Sequence, residues 1–159
     1  MHIIGFDAIT LGIHKEGFLP TKICQECKGR CCKQMGCAFS PDDFEKIEYN
    51  YLKTRIEEGI ISIDWWDGDI KEDCEYGRIP YLRMRNKKEP IVYASWGGTC
   101  CILTEDGCPL SFEDRPKEAR MLKVGKDKDS CESNYGKKQY ASDWRPYVNI
   151  LENLISYFK

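Results

Sequence analysis

The sequence predicts a small α+β domain, an irregular sheet with two or three helices, its loops stapled by cysteine-bound metal. Three observations carry this expectation. Five of the ten cysteines fall from Cys24 to Cys37, and a second group falls at Cys100, Cys101 and Cys108. Short apolar alternations that suit strands occupy the middle of the chain, at 60–66, 81–85 and 91–94. Helical patterns flank them at 40–58 and 137–158. With 159 residues the chain reads as one domain, 1–159, long enough to bury its own core. Residues 1–22 form an N-terminal arm or strand, and 137–158 a C-terminal helical segment.

The arm carries His2 and His14, the only histidines. A lone histidine is more often a surface or satisfied core residue than a ligand, and both are read that way. The stretch Cys24-Gln25-Glu26-Cys27-Lys28-Gly29-Arg30-Cys31-Cys32-Lys33-Gln34-Met35-Gly36-Cys37 follows. Two cysteines separated by two residues let one turn aim both sulfurs at one point, the knuckle of many thiolate metal sites. Cys31 and Cys32 are adjacent and diverge, so at most one of them joins Cys24 and Cys27. A closed tetrahedral site takes four ligands. Either Cys37 completes the set or a sulfur of the second cluster does so across the fold, and the shared arrangement is the expectation.

Ser40-Pro41-Asp42-Asp43 signals a helix start, with a capping serine, proline in the first turn and acids facing the helix dipole. The helix is expected to run to Glu58 and stop at Gly59, with Phe44, Ile47, Tyr51 and Ile56 on its apolar side. Its N-terminus would lower the pKa of nearby thiols. A strand over 60–66 and a turn at Asp67-Gly68-Asp69 come next, with Trp65 and Trp66 as packing residues. Cys74 stands alone in an acidic loop. Segments 81–85 and 91–94 read as a strand pair joined by the charged turn 86–90. The Asp106-Gly107 pair marks a hairpin returning Cys108 toward Cys100 or Cys101. Asp114 and Pro116 start a helix that runs to Leu122, and Cys131 lies in a polar loop. Arg115 and Arg120 read as surface charge or as a salt bridge pinning that helix to the metal loop. Tyr147, Ile150, Leu151, Leu154, Ile155 and Phe158 repeat with helical spacing, Pro146 interrupts the segment, and Asp143 is a candidate cap for its second half.

The net charge of −2 and the scatter of basic residues argue against nucleic acid or an anionic membrane surface as partner. No run approaches the roughly 20 apolar residues of a membrane span, and residues 1–13 do not read as a signal peptide. The chain is therefore expected in the cytoplasm, where thiols stay reduced and cysteine-rich chains favour metal or redox chemistry over disulfides. There is no phosphate-binding loop, no dinucleotide fingerprint and no assembled catalytic triad. Whether the chain is an enzyme stays open, and any reaction would be carried by the metal. The candidate ligands are Cys24, Cys27, Cys31, Cys32, Cys37, Cys101, Cys108 and Cys131, with Cys100 as the alternative to Cys101. The cofactor is zinc or iron, the iron alternatively as an iron–sulfur cluster.

Cys24-x-x-Cys27-x-x-x-Cys31-Cys32, then Cys101-Ile102-Leu103, Gly107-Cys108 and Phe112-Glu113-Asp114-Arg115-Pro116 with Arg120, resembles the CxxCxxCC-type cysteine-cluster family of zinc- or iron-chelating domains. Lys138, Ala141, Trp144, Pro146 and Tyr147 are similar to its C-terminal segment. The resemblance implies a chelated metal rather than a particular reaction. Many members carry a cysteine where this chain has Ala119, so Cys131 or Cys37 takes that place or the metal count differs. The first functional expectation is a metal-binding protein whose zinc or iron is structural or handed on. The alternative is an iron–sulfur redox enzyme or maturation partner, and a third reading is an interaction module that docks a protein partner.

Overall fold

The computed structural model describes residues 36–67, 79–95, 97–105, 108–110, 112–121, 123–124, 131–132 and 136–159. Cys24, Cys27, Cys31, Cys32 and Cys74, both histidines, and the turns at 68–69 and 106–107 lie outside them.

The centre is an antiparallel pair, β1 (Ile61–Trp66) and β2 (Ile79–Met84), in the register Ile61↔Met84, Ile63↔Leu82 and Asp64↔Tyr81. The fold is the expected small α+β arrangement. Strand alternation puts Ile61, Ile63, Leu82 and Met84 on one face and Ser62, Asp64, Tyr81 and Arg83 on the other. Both faces are buried, since all eight side chains are 2% exposed or less. The polar face therefore has to satisfy its charges internally.

Asp64 accepts from Arg83 Nε at 2.8 Å, Tyr81 Oη at 3.0 Å and the Trp65 N–H at 2.6 Å, and Lys137 Nζ stands 3.4 Å away. Arg83 also donates to Glu89, the Met84 carbonyl and the Tyr93 carbonyl. Burial opposes the charge on Arg83, yet its bonds to Glu89 and Asp64 hold its pKa above the ordinary value. Burial and the neighbouring Asp64 push Tyr81 upward, keeping its hydroxyl a donor.

Segments 81–85 and 91–94 do not pair with each other as the sequence suggested. Turn 86–90 forms, with Lys88 at φ 65° and Glu89 folded back onto the Asn86 N–H. Both sides of β2 are taken, however. β1 lies along one, and Ala38 stands opposite Arg83 along the other. The chain instead crosses to the far edge of β1, where Val92 runs parallel beside Ile63. Ile63 N–H donates to the Ile91 carbonyl at 2.7 Å, and Tyr93 N–H donates to the Ile63 carbonyl at 3.0 Å.

The single helix expected over 40–58 is two pieces. A 3-10 turn, Pro41–Asp43, is closed by a capping box in which Ser40 accepts from Asp42 N–H and Asp43 accepts from Ser40 N–H. The chain then extends through Phe44, and α1 begins at Tyr49 and ends at Glu57. Phe44 is drawn out of the helix to pack its ring on Phe39 at 5.2 Å and Trp144 at 5.8 Å. Gly59, at φ 100°, stops α1 as expected.

A second 3-10 turn, Phe112–Asp114, precedes α2 (Lys117–Met121), so Asp114 closes a turn rather than capping this helix. Cys131 lies not in a loop but in β4 (Cys131–Glu132), opposite Val124 of β3 (Lys123–Val124). The C-terminal segment divides at Pro146 as expected, into α3 (Lys137–Trp144), a 3-10 turn (Arg145–Tyr147) and α4 (Val148–Phe158). Tyr147, not Asp143, occupies the cap of α4, and Asp143 faces Lys117 at 3.8 Å.

Leu52 and Ile56 of α1, Tyr140 and Trp144 of α3, and Leu151, Leu154 and Ile155 of α4 close the core over the sheet. Among the described residues, no helix is long and apolar enough to cross a membrane.

Candidate metal centre

The end of β2 is where the two cysteine clusters enter the described fold. On one side Met84 N–H donates to the Cys37 carbonyl at 2.9 Å, and Phe39 N–H donates to the Leu82 carbonyl at 2.8 Å. Past the strand, Cys100 stands opposite Asn86, with Cys101 N–H donating to the Arg85 carbonyl at 2.8 Å and Lys87 N–H donating to the Thr99 carbonyl at 2.7 Å. Three consecutive residues, Met84, Arg85 and Asn86, thus hold the backbone that leaves the first cluster and the backbone of the second.

Asn86 completes the tie with its side chain. It is 3% exposed. Its Oδ1 accepts from Gly36 N–H at 2.7 Å, and its Nδ2 donates to Ser95 Oγ at 2.8 Å. Ser95 Oγ in turn accepts from Gly97 N–H at 3.1 Å, fixing the approach to Cys100. The chain must be glycine at 36, because a Cβ there would lie 2.1 Å from the Met84 carbonyl oxygen.

The thiols sit in unlike surroundings. Cys37, Cys100 and Cys108 are buried, Cys101 is half-buried, and none of the four is in a disulfide. Cys37 donates to the Glu118 carboxylate, which also accepts from the Ala38 N–H at 3.2 Å. Burial pushes Glu118 upward, and its bonds to Ala38 and Cys37 pull it partly back. Cys101 is held below the usual thiol range, first by a hydrogen bond from Cys100 and then by the nearby Arg85 guanidinium. Arg85 is anchored for this by donating to the Ile61 carbonyl at 2.6 Å. In metal-free protein, Cys101 is expected to be alkylated by iodoacetamide ahead of Cys37, Cys100 and Cys108, at a pH below that of an ordinary thiol. Peptide mass spectrometry of a time course checks the order, and equal rates at all four would contradict it.

One short segment spans both clusters. Arg115 is buried at 5% exposure, not the surface charge its type suggests, and its Nε donates to the Leu110 carbonyl at 3.1 Å, two residues beyond Cys108. Glu118 reaches Cys37 and Ala38. Arg120 Nη2 meets Asp43 Oδ1 at 2.5 Å, and Lys117 N–H donates to the same carboxylate at 2.9 Å. The helix therefore does make a salt bridge, but through Arg120 alone and to the capping box at Asp43 rather than to the cysteine loop.

Comparisons with protein-family models, with curated proteins and with solved structures gave no match to this chain.

Among the described residues, no three His, Cys, Asp or Glu side chains converge as a metal-holding set. Of the predicted ligands, Cys37, Cys101 and Cys108 are placed with their side chains, Cys131 is placed in β4, and the other four lie outside the described residues. Cys37, Cys100 and Cys101 are tied by their backbones to Met84, Arg85 and Asn86. Sequence reasoning missed Asn86 and Glu118, and no pattern flagged either. Asp64 and Arg83 did carry a signal, opposite charges inside two apolar strands.

Proposed function

We propose that this chain binds zinc or iron through its two cysteine clusters, with the metal in a structural or metal-handling role. The observation that supports the reading best is the convergence of Gly36–Cys37 and Cys100–Cys101 on Met84, Arg85 and Asn86. Segments more than sixty positions apart in sequence are brought to one strand end, where a metal bridging them would staple the cysteine loop to the sheet. The reading includes the resemblance to the cysteine-cluster family and a reducing, cytoplasmic setting in which the thiolates stay available. A metal there would hold the loops together and, if it is handed on, leave through the same thiolates. When bound, it supplies a charge centre that keeps those thiols deprotonated.

The test is metal analysis and absorption spectroscopy of anaerobically purified protein, with Cys24→Ser and Cys27→Ser beside it. Each variant is expected to lose metal and to unfold at lower denaturant than wild type. A colourless protein containing zinc supports the first form of the reading, and a broad brown absorption supports the iron–sulfur alternative. Full metal occupancy in both variants would remove these cysteines from the site.

A further inference from the structure

We propose that a cleft beside the capping box docks an arginine side chain presented by a partner protein. The cleft has a volume of about 210 Å³ and lies where the Pro41–Asp43 turn, the start of α2 and the break between α3 and α4 meet. Sites for drug-sized ligands and cofactors run to roughly 300–1,000 Å³, so this one has room for about a single side chain. Its apolar walls are Pro41, Pro146 and Tyr147, and its charged groups are Asp42, Asp143 and Lys117. The three sides are tied to one another before any partner arrives. Asp43 joins two of them, accepting from Ser40 N–H and from Lys117 N–H, both at 2.9 Å. Trp144 joins the third, its indole donating to the Phe39 carbonyl at 2.8 Å while its ring supports Tyr147 edge-on at 6.1 Å. A preformed cleft of this kind spends little of its binding energy on ordering itself.

The charges of the lining choose the occupant. Two carboxylates stand against one ammonium, which favours a cation over an anion. Asp42 is exposed, and Asp143 and Tyr147 are half-buried, so all three can be reached from outside. A guanidinium is planar, stacks on an aromatic face and forks onto a carboxylate with two parallel N–H donors. A lysine ammonium carries the same charge but has neither the flat face nor the fork. A neutral apolar side chain would use the walls and leave the carboxylates without a role. Lys117 is the opposing element, with its Nζ 3.8 Å from Asp143 Oδ2. As the like charge in the lining it weakens the binding of any cation. None of these residues is a candidate metal ligand, so the docking does not depend on the metal-binding reading.

The experiment titrates acetyl-Gly-Arg-Gly-amide into full-length, isotope-labelled protein and follows the amide resonances of Asp42, Lys117, Asp143 and Tyr147 by NMR. Parallel titrations use the same peptide with citrulline, the neutral isostere of arginine, or with lysine at the central position. The arginine peptide is expected to bind with a millimolar dissociation constant, and the citrulline peptide about 5-fold or more weaker. The lysine peptide should fall between them. Asp42→Asn should weaken arginine binding by about 2- to 5-fold, and Lys117→Gln should strengthen it by about the same factor. Tyr147→Leu, which keeps an apolar group against Trp144 but removes the aromatic face, should weaken it by about 2- to 5-fold. Opposite signs at positions 42 and 117 cannot arise from a general loss of folding, so the comparison stands even if one variant is less stable. Equal binding of the arginine and citrulline peptides would overturn the proposal, since the cleft would then be reading shape alone. So would a change of the same sign in Asp42→Asn and Lys117→Gln, or resonances at these four residues that stay unmoved up to about 20 mM peptide.

Discussion

Arg83→Leu is expected to lower the stability of the domain by about 3–5 kcal/mol, the cost of removing one partner of a buried ion pair. The side chain has no exposure, and its partner Asp64, diagonal to it on the neighbouring strand, has none either. Without the guanidinium, the Asp64 carboxylate keeps the Tyr81 hydroxyl at 3.0 Å and Lys137 at 3.4 Å but loses its closest cation, at 2.8 Å. Glu89 and the carbonyls of Met84 and Tyr93 lose a donor at the same time. Adding Asp64→Asn to Arg83→Leu should recover part of the loss, because one of the two carboxylates left behind is then neutral. The two substitutions together should cost clearly less than their separate costs added. Urea unfolding of the four proteins of this cycle measures the coupling. A loss below about 1 kcal/mol for Arg83→Leu would mean that the charges on this face are hydrated rather than paired.

Gly36→Ala is expected to destabilise the protein by about 2–3 kcal/mol, at the upper end of what an added methyl group costs in a packed interior. The new Cβ would stand 2.1 Å from the Met84 oxygen and 2.7 Å from its carbonyl carbon. These are backbone atoms of β2, so they cannot rotate aside as a side-chain tip would. Relief requires the segment to lift off the strand, breaking the Asn86 Oδ1 bond to Gly36 N–H. The substitution should therefore lower the retention of any metal the cysteine loop holds, as well as stability. Gly59→Ala is the control. Gly59 has φ 100°, and a Cβ added there would meet no described atom within 4 Å. Its replacement costs backbone strain of about 1–2 kcal/mol and leaves metal content unchanged. Denaturation midpoints and metal content of the two variants separate the effects, and Gly36→Ala behaving like Gly59→Ala would show that the docking at Met84 does not matter to the proposed metal binding.

The parts of the fold that were legible in the sequence are those set by local rules. β1, the stop at Gly59 and the break at Pro146 follow from alternation, left-handed backbone and the missing proline N–H. The parts that were not legible are set by distant partners. Phe44 belonged to a plausible helix until Phe39 and Trp144 claimed its ring. Segment 91–94 had the composition of a hairpin strand, but nothing local says that Ala38 already occupies the open side of β2. For the candidate centre, cysteine spacing marks candidate ligands, while the side chains that tie down the backbone beside them leave no such trace. Asn86 is one asparagine in a charged turn, and Arg115 reads as surface charge until its burial is seen.

The indole of Trp144 donates to the Phe39 carbonyl at 2.8 Å, across 105 positions of sequence, and Glu118 meets Ala38 across 80. During synthesis the chain lengthens from its N-terminus at about 5–20 residues per second. The segment that follows the cysteine loop therefore emerges many seconds before the residues that hold it in place. Contacts of such long range also slow folding once the whole chain is free. Throughout that interval the first five cysteines are already made, while the residues that hold Ala38 and Phe39 in place are not.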